Sequence, residues 1–156
     1  MKIIQAGITV NNESIAIIIS RFNDFINKNL LSAAIDTLHR IGKIKKDKIK
    51  IFQVPGSYEI PIIAKNIADT NNYSAIITLG TIIKGNTSHF EYIAKAITNG
   101  LMKISIENVI PITYGILITN TIEQAIERAG TKMGNKGYEA ALCALEMINL
   151  IKIIKQ

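Results

Sequence analysis

The sequence predicts an α/β protein of three layers, in which a four-stranded parallel sheet lies between helices on both faces. Three observations lead there. Four short β-branched apolar runs alternate with longer segments whose apolar residues recur at three and four, the separate periods of strand and amphipathic helix. The strand runs are almost continuously apolar, as expected of parallel strands covered on both sides. Hydrophobic residues make up 48% of the 156 positions and charged residues 19%, which excludes intrinsic disorder and leaves apolar surface to face a sister subunit.

Ser14 to Ser20, SIAIIIS, is the first strand. From Asp24 to Ile41 the apolar positions Phe25, Ile26, Leu30, Leu31, Ala34, Ile35, Leu38 and Ile41 mark a helix, and Gly42 supplies its stop. Lys50 to Val54 is the second strand; Pro55-Gly56 breaks it, and Ile60 to Ala68 is helical, with Pro61 tolerated in the first turn. Ala75 to Leu79 is the third strand, and Gly80 to Thr87 a loop. Ser88, at capping-box spacing from Glu91, then opens a helix that carries His89 in its first turn and runs to about Ile104. Val109 to Thr119 holds the fourth strand, and Asn120 with Glu123 has capping-box spacing before a short helix over Ile122 to Ala129. After a Gly-rich break, GTKMGNKG at Gly130 to Gly137, the last helix runs from Tyr138 to Ile154. Four β-then-α units in series give an open sheet of flavodoxin-like order. The segment before Ser14 is left over: Ile3, Ile4, Ile8 and Val10 give it strand propensity, and a neighbouring subunit's sheet edge would accommodate it.

The length fits one domain over residues 1–156. Although 35 residues are isoleucine, every apolar run is broken well before the ~20 residues that span a bilayer, and the N-terminus lacks a signal-peptide pattern, so the expected location is the cytoplasm. One cysteine, Cys143, excludes an internal disulfide and reads as a small buried core residue within ALCALEM; His39 and His89 lie too far apart in the chain to suggest a zinc site. The net charge of +6 suits nucleic acid, anionic small substrates or plain solubility, but the densest basic run, Lys43 to Lys50, has no interleaved aromatics, which argues against nucleic acid.

In open parallel sheets ligands bind beyond the carboxyl ends of the strands, so the chemistry is sought in four loops on one rim. They are Arg21 to Asn23, Pro55 to Glu59, Gly80 to His89 and Thr113 to Gly115. The third is the most informative. Gly85, Asn86 and Thr87 lead into a helix N-terminus, whose free N–H groups favour an anion such as phosphate, while neither GxxxxGK[ST] nor GxGxxG is present. His89 in that first turn either decorates the helix end or exchanges protons with a bound substrate. Phe22 and Tyr58 sit in turns, where they either cover the sheet ends or stack on a planar heterocycle. Glu59 serves equally well as a first-turn carboxylate or a ligand contact. Only three basic residues are arginine, and Arg128, beside the break that carries Lys132 and Lys136, is open to anion binding or to a plain surface role.

Four motifs then carry a resemblance: SRFN at Ser20 to Asn23, VPGSYEIP at Val54 to Pro61, GTIIKGNTSHFEY at Gly80 to Tyr92, and IEQAIERAGTKMGNKG at Ile122 to Gly137. In order and at this spacing, they resemble the 6,7-dimethyl-8-ribityllumazine synthase family nearly end to end. The resemblance implies condensation of 5-amino-6-(D-ribitylamino)uracil with 3,4-dihydroxy-2-butanone 4-phosphate, the penultimate step of riboflavin biosynthesis, with release of phosphate and water and with no metal or cofactor. It implies His89 for proton transfer and Phe22 for stacking on the pyrimidine. Ser57, Tyr58, Glu59, Thr81, Ile82 and Ile83 would line the pyrimidine and ribityl site, and Asn86 and Thr87 would meet the butanone phosphate. Tyr114 and Arg128 would come from the adjacent subunit, Arg128 onto phosphate, with Lys136 assisting. Tyr58, Asn86 and Tyr114 depart from the residues common in that family. The resemblance further implies pentamers, twelve of them in an icosahedral shell because GTKMGNKG carries no insertion, with riboflavin synthase as a candidate partner. Two other classes stay open on the residues: a shell or binding protein that has lost the chemistry, and a basic nucleic-acid binder whose binding would fall steeply with salt.

Overall fold

The computed structural model describes residues 1–156. Its sheet contains β1 (Ile15–Ser20), β2 (Ile49–Val54), β3 (Ala75–Ile83) and β4 (Ile112–Thr119), all parallel, in the order β2-β1-β3-β4. The helices are α1 (Asp24–Asp36), α2 (Ile60–Asp69), α3 (His89–Asn108), α4 (Ile122–Arg128) and α5 (Lys136–Lys155). The three-layer α/β prediction is therefore borne out.

The central strands explain why the sequence spends so many isoleucines. All six residues of β1 are buried, and so are the first eight of β3, because helices cover both sides of each. Successive side chains go to opposite faces. Ile15, Ile17 and Ile19, with Ile77 and Leu79, pack on Leu30, Ala34 and Leu38 of the α1 segment and on Ala141, Ala144 and Leu145 of α5. Ala16, Ile18 and Ile76 pack on Ala64 and Ile67 of α2 and on Ile97 and Leu101 of α3. The edge strands β2 and β4 are only partly buried, in keeping with their single strand neighbour.

Several local expectations need correction. β3 does not end at Leu79 but continues through Ile83, because β4 offers it partners as far as Ile83↔Thr119. Ser88 makes no side-chain cap; instead Thr87 Oγ1 accepts from the His89 N–H at 3.3 Å. The second capping box is shifted by one residue: Thr121 Oγ1 accepts from Gln124 N, and Gln124 Oε1 accepts from Asn120 N. Replacing Thr121 by Ala is accordingly expected to lower stability by about 1 kcal/mol, read as the shift in a urea midpoint. The predicted first helix changes to a wider π turn over Thr37–Ile41, in which Arg40 makes a two-pronged bond to Asp36. The Gly-rich break is a tight hairpin, β5 (Ala129–Thr131) and β6 (Gly134–Asn135), with Gly130 and Gly134 at positive φ. It delivers the chain into α5 two residues earlier than periodicity suggests, at an N-cap where Asn135 Oδ1 accepts from Gly137 N and Tyr138 N.

The N-terminal segment forms no strand within the chain. Residues 7–13 are clipped to α5: Asn149 Nδ2 donates to the carbonyls of Gly7 and Thr9, and Lys152 pairs with Glu13. Val10 is buried and donates its N–H to Gly42 O, whereas Ile3 and Ile4 stay exposed. Cys143 is exposed rather than in the core, because it falls off the stripe of α5 formed by Ala140, Ala141, Ala144, Leu145 and Ile148. No helix is long and apolar enough to cross a membrane.

Candidate functional site

The strand order reverses between β1 and β3: α1 leads outward to β2, and the chain then returns across β1 by way of α2 to reach β3. The carboxyl ends of these two strands diverge there, which is where open α/β sheets hold their ligands. A cleft of about 290 Å³ occupies the spot, lined by Phe22, Asn23, Gly56, Ser57, Tyr58, Thr81, Ile82, Ile83, His89, Phe90 and Ile93. Seven of the residues singled out in the sequence thus meet in one place.

Each arrives for a local reason. The β1 ladder pairs Ile19 with Leu79 and Ser20 with Val54, after which the chain turns at Asn23 with φ 63°, a conformation asparagine tolerates. The turn leaves Phe22 with 71% of its surface exposed, so its ring is open to the cleft. Across the cleft, the short helical turn Ser57–Glu59 presents Tyr58, also exposed, and tucks the buried Ser57 hydroxyl against Gly80. A Cβ at Gly80 would lie 2.6 Å from that hydroxyl, so any larger residue there would push the Ser57 side chain from its place. His89 stands exposed at the first position of α3.

The floor of the cleft follows from the corrected length of β3. Strand β3 outruns β1 by several residues, so that beyond Leu79 its β1-facing edge has no strand partner. Thr81 directs its carbonyl to that side, where Asn23 Nδ2 donates to it at 2.9 Å. By the two-residue repeat, Ile83 turns its N–H and C=O the same way, past the end of β1. A planar heterocycle with an amide edge can therefore pair with backbone while its face lies against Phe22.

Tyr114, Arg128 and Lys136 are not in this cleft. They line a second one, of about 420 Å³, with Ile116, Leu117, Ile118, Met133 and Glu139, and no residue borders both. Thr113 to Gly115 are not a loop on the carboxyl rim but lie early in β4, paired with Ile77 to Leu79 of β3. Tyr114 projects from this edge strand, and its hydroxyl bonds Thr98 of α3 at 2.8 Å; since Thr98 already donates to Ala94 O, the phenol is the donor in that pair. Burial pushes its pKa above the ordinary value, so the phenol is neutral at physiological pH. Arg128, at the last position of α4, is exposed and makes no ion pair, whereas Lys136 lies 3.4 Å from Glu139. An unpaired guanidinium over an open cleft is suited to a phosphate.

The remaining candidates fall outside both clefts. Glu59 folds back over Gly56 and borders a neighbouring hollow with Tyr58, Pro61 and Ile62. Asn86 and Thr87 are exposed in the loop that precedes α3. A residue that sequence reasoning missed is Asn27, fully buried on α1 behind Phe22. The signal was present in its spacing, since Asn27 sits one residue after Ile26 and three before Leu30, next to the buried stripe.

The sequence pattern of the 6,7-dimethyl-8-ribityllumazine synthase family matches residues 12–152. The chain belongs to the lumazine synthase family. Relatives agree over whole lengths. A 6,7-dimethyl-8-ribityllumazine synthase from Buchnera aphidicola subsp. Schizaphis graminum is 64% identical over 156 residues, all of this chain and 98% of that protein. One from Buchnera aphidicola subsp. Acyrthosiphon pisum is 60% identical over the same span. One from Yersinia pestis is 54% identical over 155 residues, 99% of each chain. The four-stranded parallel sheet and flanking helices are consistent with the flavodoxin-like lumazine synthase fold.

Proposed function

We propose that this chain condenses 5-amino-6-(D-ribitylamino)uracil with 3,4-dihydroxy-2-butanone 4-phosphate, and that the two clefts of different copies come together as one site. The observation that carries this reading is the switch-point cleft, where an exposed aromatic ring, an unpaired strand edge and a histidine converge. In it, the pyrimidine stacks on Phe22 and pairs with the free edge at Ile83, with Ile82 lining the floor and Ser57 and Tyr58 on the opposite wall. His89 exchanges protons during Schiff-base formation, phosphate elimination and ring closure. Arg128 of an adjacent copy, with Lys136 and Tyr114 beside it, binds the phosphate, and Asn86 and Thr87 flank it from the α3 side.

A shared site requires that copies associate, and the surface supports association. Phe25, Ile62, Tyr92, Met102 and Ile106 are large, apolar and exposed, as are Ile3 and Ile4 of the free N-terminal arm. A pentamer, with twelve pentamers closing into a shell, is the assembly we assign; light scattering on purified protein checks it.

Product formation on mixing the two substrates is followed by lumazine absorbance and fluorescence. The wild type should exceed the uncatalysed mixture, and His89→Ala should lose roughly tenfold to a hundredfold while staying above it, because holding two substrates in register supplies rate without the imidazole. An assembled wild type no faster than the uncatalysed mixture would refute the reading.

A further inference from the structure

We propose that Asn27 is a positioning residue that sets the gap between the Phe22 ring and the β3 edge, and thereby the affinity for the pyrimidine. The inference rests on the stacking role given to Phe22 above.

Asn27 is fully buried within α1, and both its amide N–H groups and its amide oxygen are engaged. Nδ2 donates to Ser20 O at 2.8 Å and to Phe22 O at 2.8 Å, while Oδ1 accepts from Thr81 Oγ1 at 2.6 Å. A buried amide without such partners would be costly, and an apolar residue there would strip Ser20 O of this donor and leave Phe22 O only the longer bond from the Ser20 hydroxyl. Asn23 adds a second tie from the same turn to the same residue, its Nδ2 on Thr81 O. The turn that carries Phe22 is thus bonded to β3 twice at Thr81, immediately before Ile82 and Ile83.

Two consequences follow. The Thr81 hydroxyl is committed inward, with Thr81 only 2% exposed, so Thr81 acts on a ligand through its backbone and through this brace. The ring of Phe22 is free while its carbonyl is fixed, which holds the open face of the cleft at one width without burying the aromatic surface that a heterocycle would cover. A residue that only stabilised the fold would affect both substrates alike; one that acts through Phe22 affects the pyrimidine alone.

The test is a double-mutant cycle with Asn27→Ala and Phe22→Ala, read by fluorescence titration of 6,7-dimethyl-8-ribityllumazine and by KM for each substrate. Asn27→Ala should weaken lumazine binding roughly tenfold and leave KM for the butanone phosphate within about twofold. In the Phe22→Ala background the same change should cost less than about twofold. Equal losses in both backgrounds, or equal rises in both KM values, would overturn the brace and leave the stacking role standing. No loss on Phe22→Ala alone would overturn both. Should Asn27→Ala fail to fold, Thr81→Val removes only the bond to Oδ1 and enters the same cycle, with roughly a threefold loss expected that again disappears without Phe22; no loss there overturns the brace.

Discussion

Arg128→Ala is expected to lower kcat/KM roughly a hundredfold, about 3 kcal/mol of transition-state stabilisation, chiefly as a higher KM for the butanone phosphate. The guanidinium has no carboxylate partner to release, so its removal takes away the proposed phosphate contact without disturbing an ion pair of the fold. A mixing experiment makes the result more discriminating. Arg128→Ala and His89→Ala chains, assembled together in equal amounts, should regain roughly a quarter of wild-type activity, because that fraction of head-to-tail contacts joins an intact His89 cleft to an intact Arg128 cleft. If both residues served one site within a single chain, the mixture would show only the mean of the two defective enzymes.

Gly137→Ala is expected to be the most damaging single methyl in the chain, with a loss above about 3 kcal/mol and a fall of roughly 6–12 °C in Tm. The added Cβ would lie 2.1 Å from the carbonyl oxygen of Leu30 and 2.7 Å from its carbonyl carbon. These are backbone atoms of α1, so no side chain can swing aside. The start of α5 must therefore separate from α1, which opens the packing of Ala34 against Ala141 and Ala144 and moves Lys136. Gly85→Ala is the control: a Cβ there meets nothing within 4 Å, and its effect should stay within about 0.5 kcal/mol. A Gly137→Ala protein as stable as the control would show that the helix contact is more compliant than its geometry implies.

Much of the fold was legible because parallel strands covered on both sides leave a strong mark. SIAIIIS has no other natural place than the middle of a sheet, and the helix from Asp24 was visible as a stripe. The errors came where a neighbour in space decides the outcome. Nothing in Gly80 to Ile83 announces that β4 extends far enough to pair with it. The cap before α4 slipped by one residue because Asn120 and Thr121 are both good caps, and Gln124 chose between them. The exposure of Cys143 turns on where the stripe of α5 falls, which the continuous apolar run from Ala140 to Leu145 hides. The division of the candidate residues between two clefts was expected only through the family resemblance, since spacing along the chain says nothing about which rim of the sheet carries Arg128. Asn27 was missed because a polar residue in a helix reads as a solvated one until its three partners are seen.

The all-buried strand β1 has a consequence for the chain before it folds. Six consecutive uncharged, mostly β-branched residues without proline are the composition of a segment that pairs readily with copies of itself. In the native sheet both edges of β1 are occupied, by β2 and β3, and neither can template another molecule. Yet β3 lies more than fifty residues further along, so the segment emerges from synthesis well before one of its two protectors exists. The same isoleucines that fill the core of the finished protein thus make its newborn chain prone to aggregate, and productive folding is a race between closing a long loop and meeting another copy.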